Sequence, residues 1–599
     1  TEVPGIGFNT ADKIARQIGI SSVDPKRIEK CLLYILEEVS EKGNTAYPKE
    51  DLIHNAHEIL QIDPDLIREE VNILINNETL IGKKVKVTKL KSAYGKEYEV
   101  IIQDGVAHKK MHNTEARIAQ ELKRVLEYKI DENMEENKKK VDSFIEENPY
   151  KLDNSQLRAA KNVLNNKVSI LTGGPGTGKT HTIKSLLKYF DSTEKSVVVA
   201  SDYNYGKNTY TSVLSAPTGR AAKRMQESTG KESSTIHRLL GFKEGKFVFN
   251  EQNKLKGDIF ILDESSMIDI WLMSAFLKAL PSHARLIIVG DTDQLPSVGA
   301  GNVLKDMIES KIIPVSRLEE VHRQALNSNI IVAAYDIINK KIPKLYDLNS
   351  DSDFVFVETE GNENIQNEIV SIIADLITKG VKPEEIQILS PKKESDVGTH
   401  SLNHMLRPIL NNNYLYNQES TSKFVEGDRV MQFKNNRELE IYNGDTGQVT
   451  LVEEESSLIS VNFDGRDIEF QGSDLNTLNL SYAITIHKSQ GSDYPYVIIP
   501  MSKSHTFMWD VNLLYTALTR GKKRVILVGE HKTLAYSVAN FKQNTRITGL
   551  KEQILMAFGK EAEITEPIKI EKPKVEAVIP TEPKKPSPFD LLKSKRFKM

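Results

Sequence analysis

The stretch "VSILTGGPGTGKTHTIKSLLKYF", residues 168–190, decides the fold. An apolar strand runs into a glycine-rich loop and then into a helix, and Gly173, Gly178, Lys179 and Thr180 fill the pattern G-x-x-x-x-G-K-[ST]. Glycines let backbone amides converge on phosphates, and the helix N-terminus adds positive field. We expect Lys179 to reach the β- and γ-phosphates of ATP and the Thr180 hydroxyl to bind Mg²⁺. The stretch predicts a nucleotide-binding α/β domain, but not what hydrolysis drives.

Acidic and polar residues end two later strands. Asp263 ends the strand in "ILDESS", Glu264 follows it, and Gln294 lies in "VGDTDQLPSVGAG". An acid at this place holds Mg²⁺ through water, and a second acid orients or deprotonates the attacking water. We therefore expect Asp263 to serve the metal, Glu264 the water, and Gln294 to sense the γ-phosphate. These features predict an ATPase.

Length and composition limit the alternatives. The 599 residues suggest about four domains at ~150 residues each. A single cysteine, Cys31, gives no disulfide framework or zinc set and fits a reducing cytoplasm, where we expect the protein. No apolar run approaches the ~20 residues of a membrane span, so no membrane partner is expected. The net charge of -3 argues only weakly against nucleic acid, because a local basic stripe is what matters. The chain starts at Thr1, and we expect it to begin inside a longer protein.

The order of strand-like and helix-like segments predicts an α/β fold with two α/β sets, a small inserted β-barrel and a preceding helical, winged-helix-like region. In that first region two amphipathic helices precede strand-like "KKVKVTKL" and "KEYEVIIQDG". Apolar strands then alternate with helices, as in parallel α/β layers. The predicted domains are residues 1–150, 151–340, 341–558 with a barrel at about 425–475, and a disordered tail at 559–599.

The strands expected in the two α/β sets fall into two groups. The first set has 168–171, either 196–200 or 213–216, 259–263 and 285–291; the second has 386–391, 482–486, 496–500 and 524–529.

Two arginines lie outside the first α/β set: Arg323 in "LEEVHRQ" and Arg520 in "LLYTALTRGKKRV". An arginine brought to a γ-phosphate from a second domain stabilises transition-state charge. Taken singly, each is more often a solvated helix residue. The segment "AITIHKSQG", residues 483–491, offers many donors and no acid before Asp493. Such a loop suits nucleotide phosphates on one side and a nucleic-acid backbone on the other.

Eight segments occur in the order found in superfamily 1 DNA helicases: "GGPGTGKT", "SAPTGRAAKRM", "STIHRLL", "LDESSMID", "VGDTDQLPSVGAG", "EEVHRQ", "AITIHKSQG" and "YTALTRG". Their wording resembles the RecD-like branch, in particular the bacterial form with an N-terminal extension that works outside the RecBCD complex. The resemblance covers about residues 1–555. It implies an ATP-dependent helicase that moves 5′ to 3′ on single-stranded DNA, unwinds duplexes at junctions and serves DNA repair or recombination. We expect a monomer.

The resemblance also assigns residues. It implies Gln156, in "LDNSQLRAA", as an adenine contact. It also implies that the two α/β sets are RecA-like P-loop domains, with an ATP site between them formed by Lys179, Thr180, Asp263, Glu264, Gln294, Arg323 and Arg520. The further nucleotide contacts expected are Gly174, Pro175, Gly176, Thr177, Gly178, His181 and Gly491. The DNA contacts expected are Pro217, Thr218, Arg220, Thr235, His237, Thr485, His487 and Ser489.

Four shorter segments each allow two interpretations. "PGIG", residues 4–7, resembles the DNA-gripping hairpin of a helix-hairpin-helix, or is a plain turn. Residues 241–257 occupy the place of a strand-splitting pin, where Phe242, Phe247 and Phe249 are either wedges or simple packing. Residues 200–212 depart from the family pattern, and their tyrosines suit base stacking or, more often, mutual packing. The tail either docks a protein partner through Phe589, Leu591 and Leu592 or only solubilises.

Two rival functions remain at this point. One is a DNA-binding scaffold or recombination-complex subunit whose ATPase only gates assembly. The other is an unrelated P-loop ATPase, such as a clamp loader or a RecA-type filament protein, although those lack "HKSQG" in a second lobe of the same chain.

Overall fold

The computed structural model describes residues 7–90, 98–129, 134–193, 210–319, 327–416, 422–434, 436, 439, 441–453, 456–540 and 546–560. Two compact units divide the chain, Thr1–Val87 with Ile101–Ile564, and Thr88–Val100 with Thr565–Met599. Of the smaller unit only the strand ends 88–90 and 98–100 are described. No helix in the described ranges is both long and apolar enough to cross a membrane.

The N-terminal region is a helical bundle followed by a small sheet, as the sequence predicts. Its strands order as Tyr47–Pro48, Tyr98–His108 and Leu80–Leu90. Cys31, at a fully buried position, lies in the core that the first four helices share. The helices are Phe8–Gln17, Pro25–Glu41, Lys49–Leu60, Pro64–Asn76, Lys109–Leu126 and Met134–Glu147.

The first α/β lobe is a six-stranded parallel sheet. Its strand order is Val315–Leu318, Val168–Gly173, Arg285–Gly290, Ile259–Leu262, Ser212–Ala216 and Ser233–Thr235. The structure thus uses the 213–216 alternative for this strand, whereas 196–200 lies outside the described residues. The sequence prediction omitted the two outermost strands. The helices are Asn154–Asn165, Lys179–Ser192, Gly219–Thr229, Ile236–Leu239, Ile270–Ala279 and Val303–Glu309.

The second lobe is a five-stranded parallel sheet. Its order is Phe354–Glu358, Gly521–Gly529, Tyr494–Met501, Ile386–Ser390 and Ala483–Thr485. All four predicted strands are present, and Phe354–Glu358 is an addition. The helices are Asn329–Ile338, Asn362–Thr378, Thr399–Leu410, Asn412–Tyr416, Val511–Leu518 and His531–Ala539.

The predicted barrel is a five-stranded antiparallel sheet with its own apolar core. The strands order as Arg466–Gln471, Leu458–Phe463, Thr446–Glu453, Arg429–Gln432 and Leu478–Leu480. Asp464 and Gly465, both at positive φ, turn one hairpin, as the Asp-Gly signal predicts. The last strand runs to Leu480, five residues beyond the predicted end, because it pairs back onto Arg429–Gln432.

The core of the first lobe includes residues from outside the predicted domain, residues 151–340. Ile118 and Leu122, within the predicted N-terminal region, are buried in the same cluster as Phe276 and Leu277 of the lobe. The C-terminal helix Leu550–Ala557, predicted as part of the second domain, also buries Leu550 and Ile554 there. Segments from both ends of the chain therefore complete the first lobe.

A buried ion pair joins the β-sheet insertion to the second lobe. Arg407 Nε donates to Asp428 Oδ1 at 3.0 Å, and Tyr482 Oη and Asn411 Nδ2 donate to the same oxygen at 2.9 and 3.0 Å. Val425 N donates to Asp428 Oδ2 at 2.9 Å, so the fully buried carboxylate is saturated. This network fixes the insertion against the helix Thr399–Leu410.

We expect Asp428→Ala to lower stability by about 3–5 kcal/mol, because it leaves the Arg407 charge buried and unpaired. Chemical denaturation followed by circular dichroism measures the change. Asp375→Ala is the matched control: its pair with Lys379 is exposed, so its loss costs about 0–1 kcal/mol. Equal effects of the two substitutions would contradict the argument.

Candidate active site

The phosphate loop has the geometry that its glycines permit. Gly178, at φ +80, caps the helix Lys179–Ser192. A Cβ on Gly173 would lie 2.7 Å from Thr177 Oγ1 and 2.9 Å from the Leu318 carbonyl oxygen, so only glycine fits there. The Thr177 hydroxyl donates to Gly174 O at 2.9 Å and closes the loop on itself. Gly176 and Thr180 face solvent at the loop's open side.

The Lys179 ammonium bends back onto the loop. It donates to the carbonyl oxygens of Gly173 and Gly174, the latter at 3.1 Å. Those carbonyls satisfy the ammonium at the place where a bound phosphate would offer stronger, charged acceptors. The side chain therefore already lies within the loop that the sequence assigns to phosphate.

Two acids meet at the end of the strand Ile259–Leu262. Burial raises the pKa of both the Asp263 and the Glu264 carboxyl. Asp263 Oδ1 accepts from the Glu264 backbone N–H at 2.8 Å. Glu264 adopts a left-handed backbone, φ +49, which is costly for a non-glycine residue and is found mostly at functional sites. The buried, oxygen-rich pair suits a divalent cation such as Mg²⁺.

Residues of both lobes line one cavity of about 100 Å³. Lys179, Thr180, Asp263, Glu264 and Gln294 line it from the first lobe. Asp493, Thr519 and Arg520 line it from the second. Five predicted catalytic or metal residues of the first lobe and one predicted arginine finger are therefore brought together.

Arg520 is held in place by its own lobe. Only 2% of its surface is exposed, and its guanidinium donates to Thr516 O at 3.3 Å and Ser492 O at 3.2 Å. Asp493 Oδ1 lies 3.9 Å from Arg520 Nη1, and Asp493 Oδ2 lies 2.9 Å from Arg224 Nη2 of the first lobe. One acid thus pairs with arginines from both sides of the cavity.

Sequence reasoning did not assign roles to Asp493 and Arg224. A signal for Asp493 existed, since it is the first acid after "HKSQG". Arg224 carried no comparable signal, because its partner lies 269 residues away.

The loop that carries Gln294 is hydrogen-bonded to the second lobe. Tyr515 Oη donates to Asp291 Oδ2 at 2.7 Å, and Thr516 Oγ1 accepts from Leu295 N at 3.0 Å. Asn512 Nδ2 donates to Asp293 O at 2.7 Å. Burial, with the charge of Asp291, raises the pKa of Asp293 to about 6. Gln294 Nε2 donates to Asp291 Oδ2 at 3.4 Å, while its Oε1 is buried without a partner.

Arg546 holds the far end of the same loop. Its guanidinium donates to Ser297 O at 2.6 Å and Gly301 O at 2.7 Å. Gly301 N donates to Gly43 O of the N-terminal region at 2.9 Å. The loop is therefore attached to three parts of the chain that are distant in sequence.

Pro175, a predicted nucleotide contact, also lines the cavity, whereas Gln156, His181 and Gly491 are not among its lining residues. Gln156 is fully buried; its Nε2 donates to Thr177 O at 3.3 Å and its Oε1 accepts from Asp153 N at 3.2 Å. It caps its helix in this structure. His181 Nε2 lies 3.2 Å from Tyr150 O. A Cβ on Gly491, at φ +73, would lie 3.0 Å from Thr218 Oγ1, so Gly491 lets the two lobes approach.

The predicted DNA residues of the first lobe have structural partners. Thr218 and Thr235 cap helices by accepting from Ala221 N and Arg238 N. Arg220 Nη1 donates to Ser492 Oγ at 3.0 Å and Tyr494 Oη at 2.8 Å of the second lobe. Arg220 Nη2 donates to Thr446 Oγ1 of the insertion. In this conformation Arg220 joins three parts of the protein. Pro217 precedes the Thr218 cap and is half-buried.

The three predicted DNA residues of the second lobe differ in solvent exposure. Thr485 is half-buried and His487 exposed. Ser489 differs from the expectation, because it is fully buried and its hydroxyl donates to Ile486 O at 2.7 Å. Its side chain supports the turn Ile486–Ser489 and offers no surface to DNA.

The hairpin at 241–257 has two short strands, Phe242–Lys243 and Lys246–Phe247. The two phenylalanine rings lie 4.7 Å apart, and the His237 ring is 5.5 Å from that of Phe242. Phe247 and Phe249 also pack against the core. Arg323, most of "PGIG" (residues 4–6), residues 200–209 and the tail from 561 lie outside the described residues.

We expect Tyr515→Phe to lower stability by about 1–3 kcal/mol, because Asp291 then stays buried without its interlobe donor. ATP turnover should fall with it, since the bond positions the Gln294 loop. Chemical denaturation and steady-state hydrolysis measure the two effects. Tyr416→Phe is the control, because Tyr416 is 86% exposed. Its stability and its ATP turnover should both equal those of the parent. A Tyr515→Phe protein as stable and active as the parent would refute the coupling.

Four family descriptions match separate parts of the chain. An AAA domain matches residues 156–300 and a UvrD-like helicase C-terminal domain matches residues 480–528. The SH3 domain of ATP-dependent RecD-like DNA helicases matches residues 402–463. The HHH domain of ATP-dependent RecD2 DNA helicases matches residues 1–46.

Named relatives agree with these matches. The ATP-dependent RecD2 DNA helicase of Deinococcus radiodurans is 29% identical over 92% of this chain and 72% of its own length. The RecBCD enzyme subunit RecD of Mycolicibacterium smegmatis is 28% identical over 67% of this chain and 74% of its own. A solved structure of Pif1 helicases at forked duplex DNA is 20% identical, covers 63% of this chain and 91% of that one, and has a TM-score of 0.36. These matches show a RecD2-like ATP-dependent DNA helicase that carries the HHH and SH3 domains of RecD-type helicases.

Proposed function

We propose that this helicase translocates 5′ to 3′ on single-stranded DNA and unwinds duplex ahead of it during DNA repair or recombination. The cavity between the lobes carries the proposal. Lys179, Asp263 and Glu264 line it from one side and Arg520 from the other. A triphosphate bound there would contact both lobes, so its cleavage would change the contact that holds them together.

ATP and Mg²⁺ fit the residues that line this cavity. On binding, the Lys179 ammonium would exchange two carbonyl acceptors for phosphate oxygens. Thr180 and Asp263 would hold the Mg²⁺ ion, which when bound neutralises charge on the β- and γ-phosphates. Glu264 would orient or deprotonate the attacking water. Its raised pKa, caused by burial, favours accepting a proton.

Coupling follows from the hydrogen bonds of the Gln294 loop. When the γ-phosphate leaves, the Gln294 Nε2 donor, which donates to Asp291 Oδ2 in this structure, loses the phosphate oxygen that we propose as its acceptor. Asp291 and Leu295 of this loop are hydrogen-bonded to Tyr515 and Thr516. These two residues lie about one helical turn before Arg520. A change in the loop is thereby transmitted to the helix that ends beside Arg520. Arg323 would be a second finger, as the family resemblance implies.

The strand would run over the loops of both lobes. Thr218, Thr235, His237, Thr485 and His487 remain our proposed contacts. Arg220 would join them only after releasing its bonds to the second lobe. Each base-pair step separated costs about 1.4 kcal/mol of stacking, which is the work the motor does. We propose that the hairpin at 241–257 is the element that splits the duplex.

We further propose a monomer that acts at junctions of single- and double-stranded DNA in the cytoplasm, bound to the nucleoid when on DNA. The tail after 559 is the proposed site of a protein partner.

The direction of movement can be tested with duplexes that carry a 5′ or a 3′ single-stranded tail. The intact chain should unwind the 5′-tailed duplex with ATP, because the resemblance implies 5′ to 3′ travel. Lys179→Ala should abolish both hydrolysis and unwinding while single-strand binding persists, since it removes the phosphate contact alone. Unwinding of only the 3′-tailed duplex would reverse the proposal, and DNA-stimulated hydrolysis without any unwinding would favour the scaffold.

The Arg520 finger can be tested by Arg520→Lys. Lysine keeps a charge but loses the planar fork, so ATP turnover should fall about 10²–10³-fold while ATP affinity changes little. Nucleotide titration and steady-state hydrolysis separate the two quantities. The exposed Lys532→Ala, in the helix His531–Ala539, is the control and should turn over normally. Equal losses in affinity and turnover would refute the assignment.

A further inference from the structure

A second cavity, of about 300 Å³, lies between the second lobe and the β-sheet insertion. The helix Thr399–Leu410 and the strand Ala483–Thr485 contribute to its walls. Its volume is at the lower end of the range for small-ligand pockets. Six basic side chains line it: Lys393, His400, His404, Arg407, Lys423 and Lys488.

This cavity carries positive charge that its own wall does not balance. No Asp or Glu is among the described residues that line it. Asp428 neutralises Arg407 from behind the wall. Lys423 donates to Leu478 O at 2.8 Å, and Lys488 to Asn443 Oδ1, both uncharged acceptors. The chemistry therefore calls for an anion.

One aromatic ring lies among these charges. The Phe433 ring centroid is 5.0 Å from Lys488 Nζ and 5.8 Å from Lys393 Nζ. Phe433 is half-buried, so part of its ring is exposed. An aromatic surface flanked by ammonium groups is the combination with which proteins hold a base and its phosphate. The side chains of this cavity thus match a nucleotide better than an inorganic anion.

We propose that this cavity holds one nucleotide of the translocating single strand, with its base stacked on Phe433 and its phosphate between Lys393 and Lys488. The inference rests on the proposed function and assigns it a specific subsite. Thr485, a predicted DNA contact, forms part of the wall, so the cavity is continuous with the proposed path of the strand. A base on this ring would displace the two ammonium groups toward its own phosphate. Free nucleotide would use the same chemistry and is separated by the test.

Binding of fluorescein-labelled oligo(dT) to the full chain, without ATP, tests the proposal. Phe433→Leu keeps the apolar packing but removes the stacking surface, so affinity should fall about ten-fold. Phe433→Trp should restore affinity to within about two-fold. Lys393→Ala should reduce the slope of log affinity against log salt by about one, as loss of one phosphate contact does. Phe507→Leu and Lys503→Ala, outside the cavity, are the matched controls.

Crosslinking with an oligonucleotide that carries 5-iododeoxyuridine locates the base. Crosslinks at Phe433 that excess dTMP does not prevent support the proposal. Unchanged affinity in Phe433→Leu, or crosslinks only elsewhere, would overturn it. Competition by dTMP at concentrations below those of the oligonucleotide would overturn it in favour of a free-nucleotide site. None of these experiments uses ATP or measures unwinding. Their result therefore tests the subsite even where the proposed direction of translocation fails.

Discussion

The hydrogen bond from Tyr515 to Asp291 ties the two lobes at the point where ATP is expected to act. Asp291 is 2% exposed, so a carboxylate in that position requires a donor. Asp291 accepts from Asp293 N at 3.0 Å and Gln294 Nε2 at 3.4 Å within its own loop, and from Tyr515 Oη of the second lobe at 2.7 Å. The Tyr515 bond therefore couples the loop that carries Gln294 to the position of the second lobe.

Other contacts around the cavity also join separate regions of the chain. Asp493 of the second lobe pairs with Arg224 of the first and approaches Arg520 of its own. Arg546, near the C-terminal helix, holds the distal part of the Gln294 loop, and Gly43 of the N-terminal region bonds to its end. Arg224 is exposed, whereas Arg546 is half-buried and Gly43 is buried. Through Tyr515, Arg546 and Gly43 the loop is bonded to three regions of the chain.

Much of the local structure could be predicted. The buried strands, the phosphate loop and the acid pair at Asp263 and Glu264 were found because hydrophobic period and loop chemistry are local properties. The outer strand Val315–Leu318, VSRL, was missed because only two of its four residues are apolar. Phe354–Glu358, FVFVE, was missed although four of its five residues are apolar. Ser489 was expected to face DNA, but a turn buries it. Arg220 was expected to contact DNA, and in this conformation it donates to Ser492 and Thr446. No sequence signal indicated these bonds, because both partners lie more than 200 positions later.

By itself the sequence determined the class of chemistry: a triphosphate site, two parallel α/β lobes, an inserted β domain and a family whose motifs appear in order. Tertiary structure alone decided that one cavity collects Lys179 and Arg520, that Asp493 serves both sides, and that helices from each end of the chain complete the first core. It alone also gathered Phe433 with cations from separate segments around one cavity. The reason is physical: spacing along a chain encodes which side chains share an element, whereas packing between elements decides which of them meet.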